Sequence, residues 1–198
     1  MAATMRSIEI VIAHGQDDTA TKLHEIVSSL GHTVKATCRS TEDLLSECLP
    51  SPPNLIISGV EMDGGNAIDA LVRISEHEPT PAIVLTPKRS LMNVEEALRD
   101  HVMAYLVEPI DPNQVKPTIY LVCERFKQFE LLKAENDDLR QTLVERKVIE
   151  KAKGILMGQH ELDEEHAFRK LQKLAQSKRT KLASMAQSIV DAAEAQGD

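Results

Sequence analysis

The densest chemistry in this 198-residue chain is cationic. Arg146, Lys147, Lys151 and Lys153 fall close together, Arg169, Lys170 and Lys173 follow, and Lys178, Arg179 and Lys181 close the run. Such clusters attract phosphates, and each contact neutralises backbone charge in a salt-dependent way. Gly154 permits a close backbone approach, and Ser184 can donate a hydrogen bond to a phosphate or a base edge. A single lysine ordinarily marks a solvated helix face. It is the cluster that points to nucleic acid, and the unstacked bases of an RNA loop suit it better than a duplex groove. Phe168 falls inside an apolar stripe and reads as core, while His160 and His166 are too isolated to ligate a metal.

The charge balance of the whole chain hides this region. Lys and Arg sum to 23 against 31 Asp and Glu, a formal net charge of −8. Residues 1–117 are net −8, 118–142 net −1 and 143–190 net +4, with net −3 on the last eight. An acidic front and a basic back imply separate tasks. Aromatics make up only 3% with no Trp, which leaves few stacking platforms for bases. Cys38, Cys48 and Cys123 are too scattered for a disulfide framework or a metal set, and no cofactor is called for. With no spanning apolar run and no secretory leader pattern, the expected setting is cytoplasmic, without a membrane.

The elements that must carry these residues follow from periodicity. Strand-like runs occur at Ile8–Ile12, His32–Ala36, Leu55–Ile57, Ala82–Leu85 and Met103–Leu106. They alternate with helical stretches: one bearing Leu23, Ile26, Val27 and Leu30, then Glu42–Leu49, Asn66–Ser75 and Val94–Arg99. This predicts an α/β domain with a five-stranded parallel sheet over residues 1–117. Chemistry in such sheets sits beyond the carboxyl ends of the strands, here His14-Gly15, Gly59, Thr86 and Glu108. Asp17 and Asp18 fall inside the first helix, and Glu61 and Asp63 lie past a strand end.

Beyond Pro117 the pattern is helical. Val122, Phe129, Asn136 and Leu143 repeat every seven residues, with Arg125, Leu132, Leu139 and Arg146 at the offset position. This is a short two-chain coiled-coil seam over 118–142, in which Asn136 fixes register, or one long helix packed on its own domain. Residues 143–198 then read as three amphipathic helices: Ile149, Ala152 and Leu156; Ala167, Phe168, Leu171, Leu174 and Ala175; Leu182, Met185, Ala186, Ile189 and Val190. Asp163 is the expected N-cap of the second.

Leu30-Gly31-His32, Pro53-Asn54-Leu55-Ile56-Ile57, Met62 with Gly64-Gly65, Thr86, and Tyr105-Leu106 with Glu108-Pro109 resemble the flavodoxin-like receiver domain of two-component response regulators. That resemblance implies an acidic pair holding Mg²⁺, an aspartate phosphoacceptor and a lysine. His14-Gly15, Gly59 and Glu108 stand at those positions, and only Thr86 keeps its type. The implied domain is a pseudo-receiver, unphosphorylated, serving dimerisation or binding a regulatory protein or ligand.

Arg146-Lys147-Val148-Ile149-Glu150-Lys151-Ala152-Lys153-Gly154-Ile155-Leu156-Met157, with Glu164–Leu171 and Lys181–Val190, resembles the ANTAR domain. The order of receiver, coil and ANTAR is similar to the AmiR/NasT branch. It implies a dimeric, non-enzymatic transcription antitermination regulator that binds RNA hairpin loops of a leader transcript. Competing readings are a DNA-binding regulator of the helix-turn-helix class, a receiver phosphorylated on a non-standard acceptor, and a protein-interaction adaptor.

Overall fold

The computed structural model describes residues 7–87 and 102–195. The chain divides into two compact units, with the division between Glu130 and Leu131.

In the first unit, strands β1 (Glu9–Ala13), β2 (Thr33–Cys38), β3 (Leu55–Gly59), β6 (Ala82–Pro87) and β7 (Val102–Glu108) form one sheet in the order β2-β1-β3-β6-β7. Every pairing in it is parallel. A small antiparallel pair, β4 (Glu61–Met62) with β5 (Gly65–Asn66), follows β3 and was not expected from the sequence. Side chains alternate across a strand, so one parity of β1, β3 and β6 faces each side. Ile10, Ile12, Leu55, Ile57, Ile83 and Leu85 share one core. Val11, Ala13, Ile56, Ala82 and Val84 share the other.

Each face is closed by helices. Ala20, Leu23 and Val27 of α1 (Asp17–Ser29) cover the first. Leu44 and Cys48 of α2 (Thr41–Cys48) and Ala67, Ala70, Leu71 and Ile74 of α3 (Ala67–His77) cover the second. Local chemistry sets their ends. Gly31, at φ +85°, turns the chain out of α1, a conformation that suits glycine. Ser40 and Asp43 make a reciprocal capping box on α2. The expected helix at Val94–Arg99 lies outside the described residues.

The helix α4 runs unbroken from Pro112 to His160. The coil and the first tail helix, read separately from the sequence, are therefore one element. Its first turns contribute Val115, Ile119, Val122 and Cys123 to the core of the first unit. This corrects the placement of Val122 in a dimerisation seam: it is fully buried inside its own domain. Phe129, Leu132, Leu139 and Leu143 are exposed large apolar side chains, and Asn136 is exposed among them.

In the second unit the end of α4 packs with α5 (Glu164–Ser177) and α6 (Leu182–Glu194). Ala152, Leu156, Ala167, Leu171, Ala175, Met185, Ala186 and Val190 form its core. Asp163 caps α5 by accepting from His166 N at 2.8 Å, as its position predicts. Phe168 departs from expectation. It is half-buried and is not among the residues packed on this core.

Candidate functional site

Two groups of residues carry the chemistry, one in each unit. In the first, β1, β3, β6 and β7 bring His14, Gly59, Thr86 and Glu108 to the carboxyl end of the sheet. His14 leaves β1 with its backbone N–H on Cys38 O at 2.9 Å, and it is 5% exposed. The backbone N–H of Gln16 donates to His14 Nδ1 at 3.0 Å. That nitrogen must therefore be unprotonated, so the ring hydrogen sits on Nε2. Nε2 points at Glu108 Oε1, 3.3 Å away. The ring lies over Gly59: a Cβ built there would stand 2.8 Å from His14 Cδ2 and 3.1 Å from Nε2.

The acceptor position is thus glycine, and the imidazole covers it. Asp17 lies in the first turn of α1 and pairs with Arg39 at 2.9 Å. Thr86 is buried, its hydroxyl 3.4 Å from Pro87 O. Gly15 packs against the Glu61 carbonyl at 3.4 Å from its would-be Cβ. The strand ends present one carboxylate, already facing His14, where the receiver chemistry requires several acidic oxygens around a hard cation. They do not fit a magnesium-dependent phosphoryl site. Among the described residues no group of three His, Cys, Asp or Glu side chains could hold a metal ion.

In the second unit the cations are of two kinds. Some are tied to acids. Lys153 is 7% exposed and reaches Glu150 at 2.9 Å and Glu164 at 2.7 Å. The hydrogen bond from Lys153 holds the Glu164 carboxyl below its ordinary range, and Glu164 and Glu150 together raise the lysine. Lys153 is therefore a buried tie between α4 and α5, which corrects its reading as a surface phosphate contact. Lys151 meets Glu194 of α6 at 2.6 Å, and Arg169 pairs with Glu165 on its own helix.

The others are open. Arg146, Lys147, Lys170, Lys173, Lys178, Arg179 and Lys181 make no ion pair among the described residues. Arg146 and Lys147 are exposed on α4, and Lys173 is exposed on α5. Lys178 caps the end of α5, Arg179 turns the chain at φ +53°, and Lys181 precedes α6. Gly154 and Ser184 are both exposed, and a Cβ on Gly154 would meet nothing within 4 Å. The sequence had no direct sign that Glu164 would neutralise Lys153. The available hint was the position of Lys153 beside the Ala152–Leu156 stripe.

Comparison with known proteins matches both units. The response regulator receiver domain matches residues 10–120, and the ANTAR domain matches residues 137–190. Over 182 residues the chain is 29% identical to the transcriptional regulatory protein PdtaR of Mycobacterium tuberculosis strain ATCC 25618 / H37Rv. That match covers 92% of this chain and 89% of the relative, and the protein of strain CDC 1551 / Oshkosh matches equally. Among solved structures, the signal receiver domain of a modulated diguanylate cyclase from Desulfovibrio desulfuricans G20 superposes with TM-score 0.56 at 18% identity. It covers 62% of this chain and 98% of that one. The receiver domain of an HD domain-containing protein from Pseudomonas fluorescens Pf-5 gives 0.57 at 22% identity, covering 66% and 96%. These structures share the fold. Among the described residues no helix is long and apolar enough to cross a membrane. With a receiver domain at its front and an ANTAR domain at its end, the chain belongs to the ANTAR-bearing response regulators.

Proposed function

We propose that this chain is a non-enzymatic, cytoplasmic transcription antitermination regulator. Its ANTAR unit binds hairpin loops of a leader RNA. Its receiver-like unit controls that binding without being phosphorylated, through dimerisation or through a regulatory protein or ligand. The observation that carries the reading is the set of open cations on an ANTAR-matched three-helix unit. ANTAR domains are RNA-binding antitermination modules, and seven cations with no ion pair among the described residues, on 54 matched residues, suit a phosphate backbone. The imidazole over Gly59 supports control without a phosphoaspartate, since no carboxylate stands there and Glu108 would repel a phosphate.

Dimerisation along α4 rests on Phe129, Leu132, Leu139 and Leu143, which the chain leaves exposed at heptad spacing around Asn136. Two linked RNA units would gain affinity through effective concentration. The test is titration of the full chain against a two-hairpin leader RNA over a salt series, with single-hairpin RNA and duplex DNA as competitors. The expected result is tighter binding of the paired hairpins and weak competition by DNA. Equal affinity for one hairpin overturns the paired mechanism, and preference for duplex DNA overturns the RNA reading. Intact mass after incubation with acetyl phosphate and Mg²⁺ should show no adduct on the receiver-like unit.

A further inference from the structure

Two of the open cations of the second unit line a cleft where α4, α5 and α6 meet, with a volume of about 350 Å³. Its floor is apolar, built by Leu156, Leu174, Met185 and Ile189, with Ala192 and Ala193 along one wall. Two cations line it, Lys170 and Lys178, and neither makes an ion pair among the described residues. The remaining polar groups, Gln159, His160 and Ser188, are hydrogen-bonding ones. Gln159 offers an amide, and Ser188 donates to Ser184 O at 3.1 Å while its lone pairs stay free to accept.

An apolar floor disfavours a phosphate, whereas a cationic rim disfavours a purely apolar ligand. The combination suits a ligand with a flat, weakly polar body and an anion on each side. A nucleotide splayed from a single-stranded loop has that form: the base enters and its edge is read by hydrogen bonds, while the backbone stays outside. Lys170 and Lys178 are eight residues apart, or about 12 Å along a helix axis. With flexible side chains they reach the phosphates on either side of one nucleotide.

We propose that this three-helix cleft is a nucleobase pocket, holding one unstacked base of the RNA loop between apolar side chains while Lys170 and Lys178 grip its flanking phosphates. This deepens the RNA-binding reading and rests on it. The floor is aliphatic and thioether and the imidazole of His160 stands in the lining, with no Phe, Tyr or Trp among the lining residues; the low content of those three in the chain is no obstacle to reading a base this way.

Ala192 gives a clean test because it lines the cleft, is exposed, and lies outside the core of the unit. Ala192→Leu keeps a strong helix former and fills the cleft. The full chain and this variant are titrated against a two-hairpin RNA and against the same RNA carrying an abasic site at each loop position in turn. Wild type should lose about tenfold at one loop position, equivalent to about 1.4 kcal/mol. Ala192→Leu should lose a similar factor on intact RNA and lose nothing more at that abasic position. Gln159→Ala should weaken the intact RNA less and alter which base is preferred there. Unchanged affinity of Ala192→Leu with an unchanged melting temperature overturns the pocket, as do losses that simply multiply. Failure of wild type to bind any hairpin RNA overturns the RNA reading itself, and the pocket with it.

Discussion

The imidazole of His14 occupies the space that a side chain on Gly59 would need, with 2.8 Å between His14 Cδ2 and a Cβ built on the glycine. Gly59 and His14 are therefore one feature: the ring can lie flat across the sheet end only because nothing projects from β3 beneath it. The Gln16 N–H on Nδ1 and the Glu108 carboxylate opposite Nε2 hold the ring in that pose.

Gly59→Ala should accordingly destabilise the first unit by about 1–3 kcal/mol, the usual cost of overpacking. In a His14→Ala background the same change should cost less than about 0.5 kcal/mol, since the clashing ring is gone. Urea unfolding of the four proteins measures the coupling. An equal cost in both backgrounds would show that the contact with His14 is not what Gly59 is for.

The two ends of the heptad pattern should behave differently. Val122→Ala opens a cavity in the core of the first unit, so it should cost about 2 kcal/mol and leave the oligomeric state alone. Leu139→Asp touches no core of its own chain, so it should leave folding intact and convert a dimer to a monomer in analytical ultracentrifugation. A Leu139→Asp protein that still sediments as a dimer would remove the exposed stripe as the interface.

RNA binding should separate the open cations from the tied ones. Each phosphate contact to single-stranded RNA adds about 0.7 to the slope of log affinity against log salt. Lys147→Ala or Lys173→Ala should lower the slope by about that amount. Lys153→Met should leave it unchanged, because that lysine is buried against Glu150 and Glu164. A slope that falls with Lys153→Met would place its charge on the RNA after all.

The Lys153–Glu164 tie also sets a pH dependence. Glu164 is lowered from its ordinary 4.5, so its contribution is present above that value and is lost as the pH falls through the lower folded one. Lys153 is raised from its ordinary 10.5, so its share is present below that value and is lost as the pH rises through the raised one. Thermal melts of the full chain from neutral pH to about pH 3 should fall less steeply for Glu164→Gln than for wild type. Parallel curves would mean the pair adds nothing to stability.

Burial pushes the Cys38 thiol up to about 11 and the Cys48 thiol up to about 12, and raises Cys123 as well. The thiolate is the reactive form, so the three cysteines should resist iodoacetamide at pH 8 in the folded protein and react on unfolding. Mass spectrometry counts the adducts. Rapid native alkylation at Cys38 or Cys48 would contradict this burial.

Several features of this protein are fixed by local sequence. Unbroken apolar runs at Ile10–Ile12, Leu55–Ile57 and Ala82–Leu85 require strands covered on both faces, because each parity must be hidden. The stripes of α5 and α6 and the Asp163 cap are legible for the same reason: they depend on residues within a turn or two of each other. The open charge of Lys147, Lys173 and Lys181 needs no partner to be read.

What tertiary structure decided involves residues that meet only after folding. Val115, Ile119 and Val122 follow the same four-three spacing as the exposed residues that continue from Phe129, so the spacing cannot show where the domain core stops. That boundary is set by the sheet and α1, which come from far earlier in the chain. Lys153 lost its surface role to Glu164, an acid on the next helix. The sequence displayed His14, Gly59 and Glu108 as three departures from receiver chemistry. Only parallel pairing of β1 with β3, and of β6 with β7, turns them into a ring seated over a glycine and facing a carboxylate, because residues this far apart share an environment through the sheet alone.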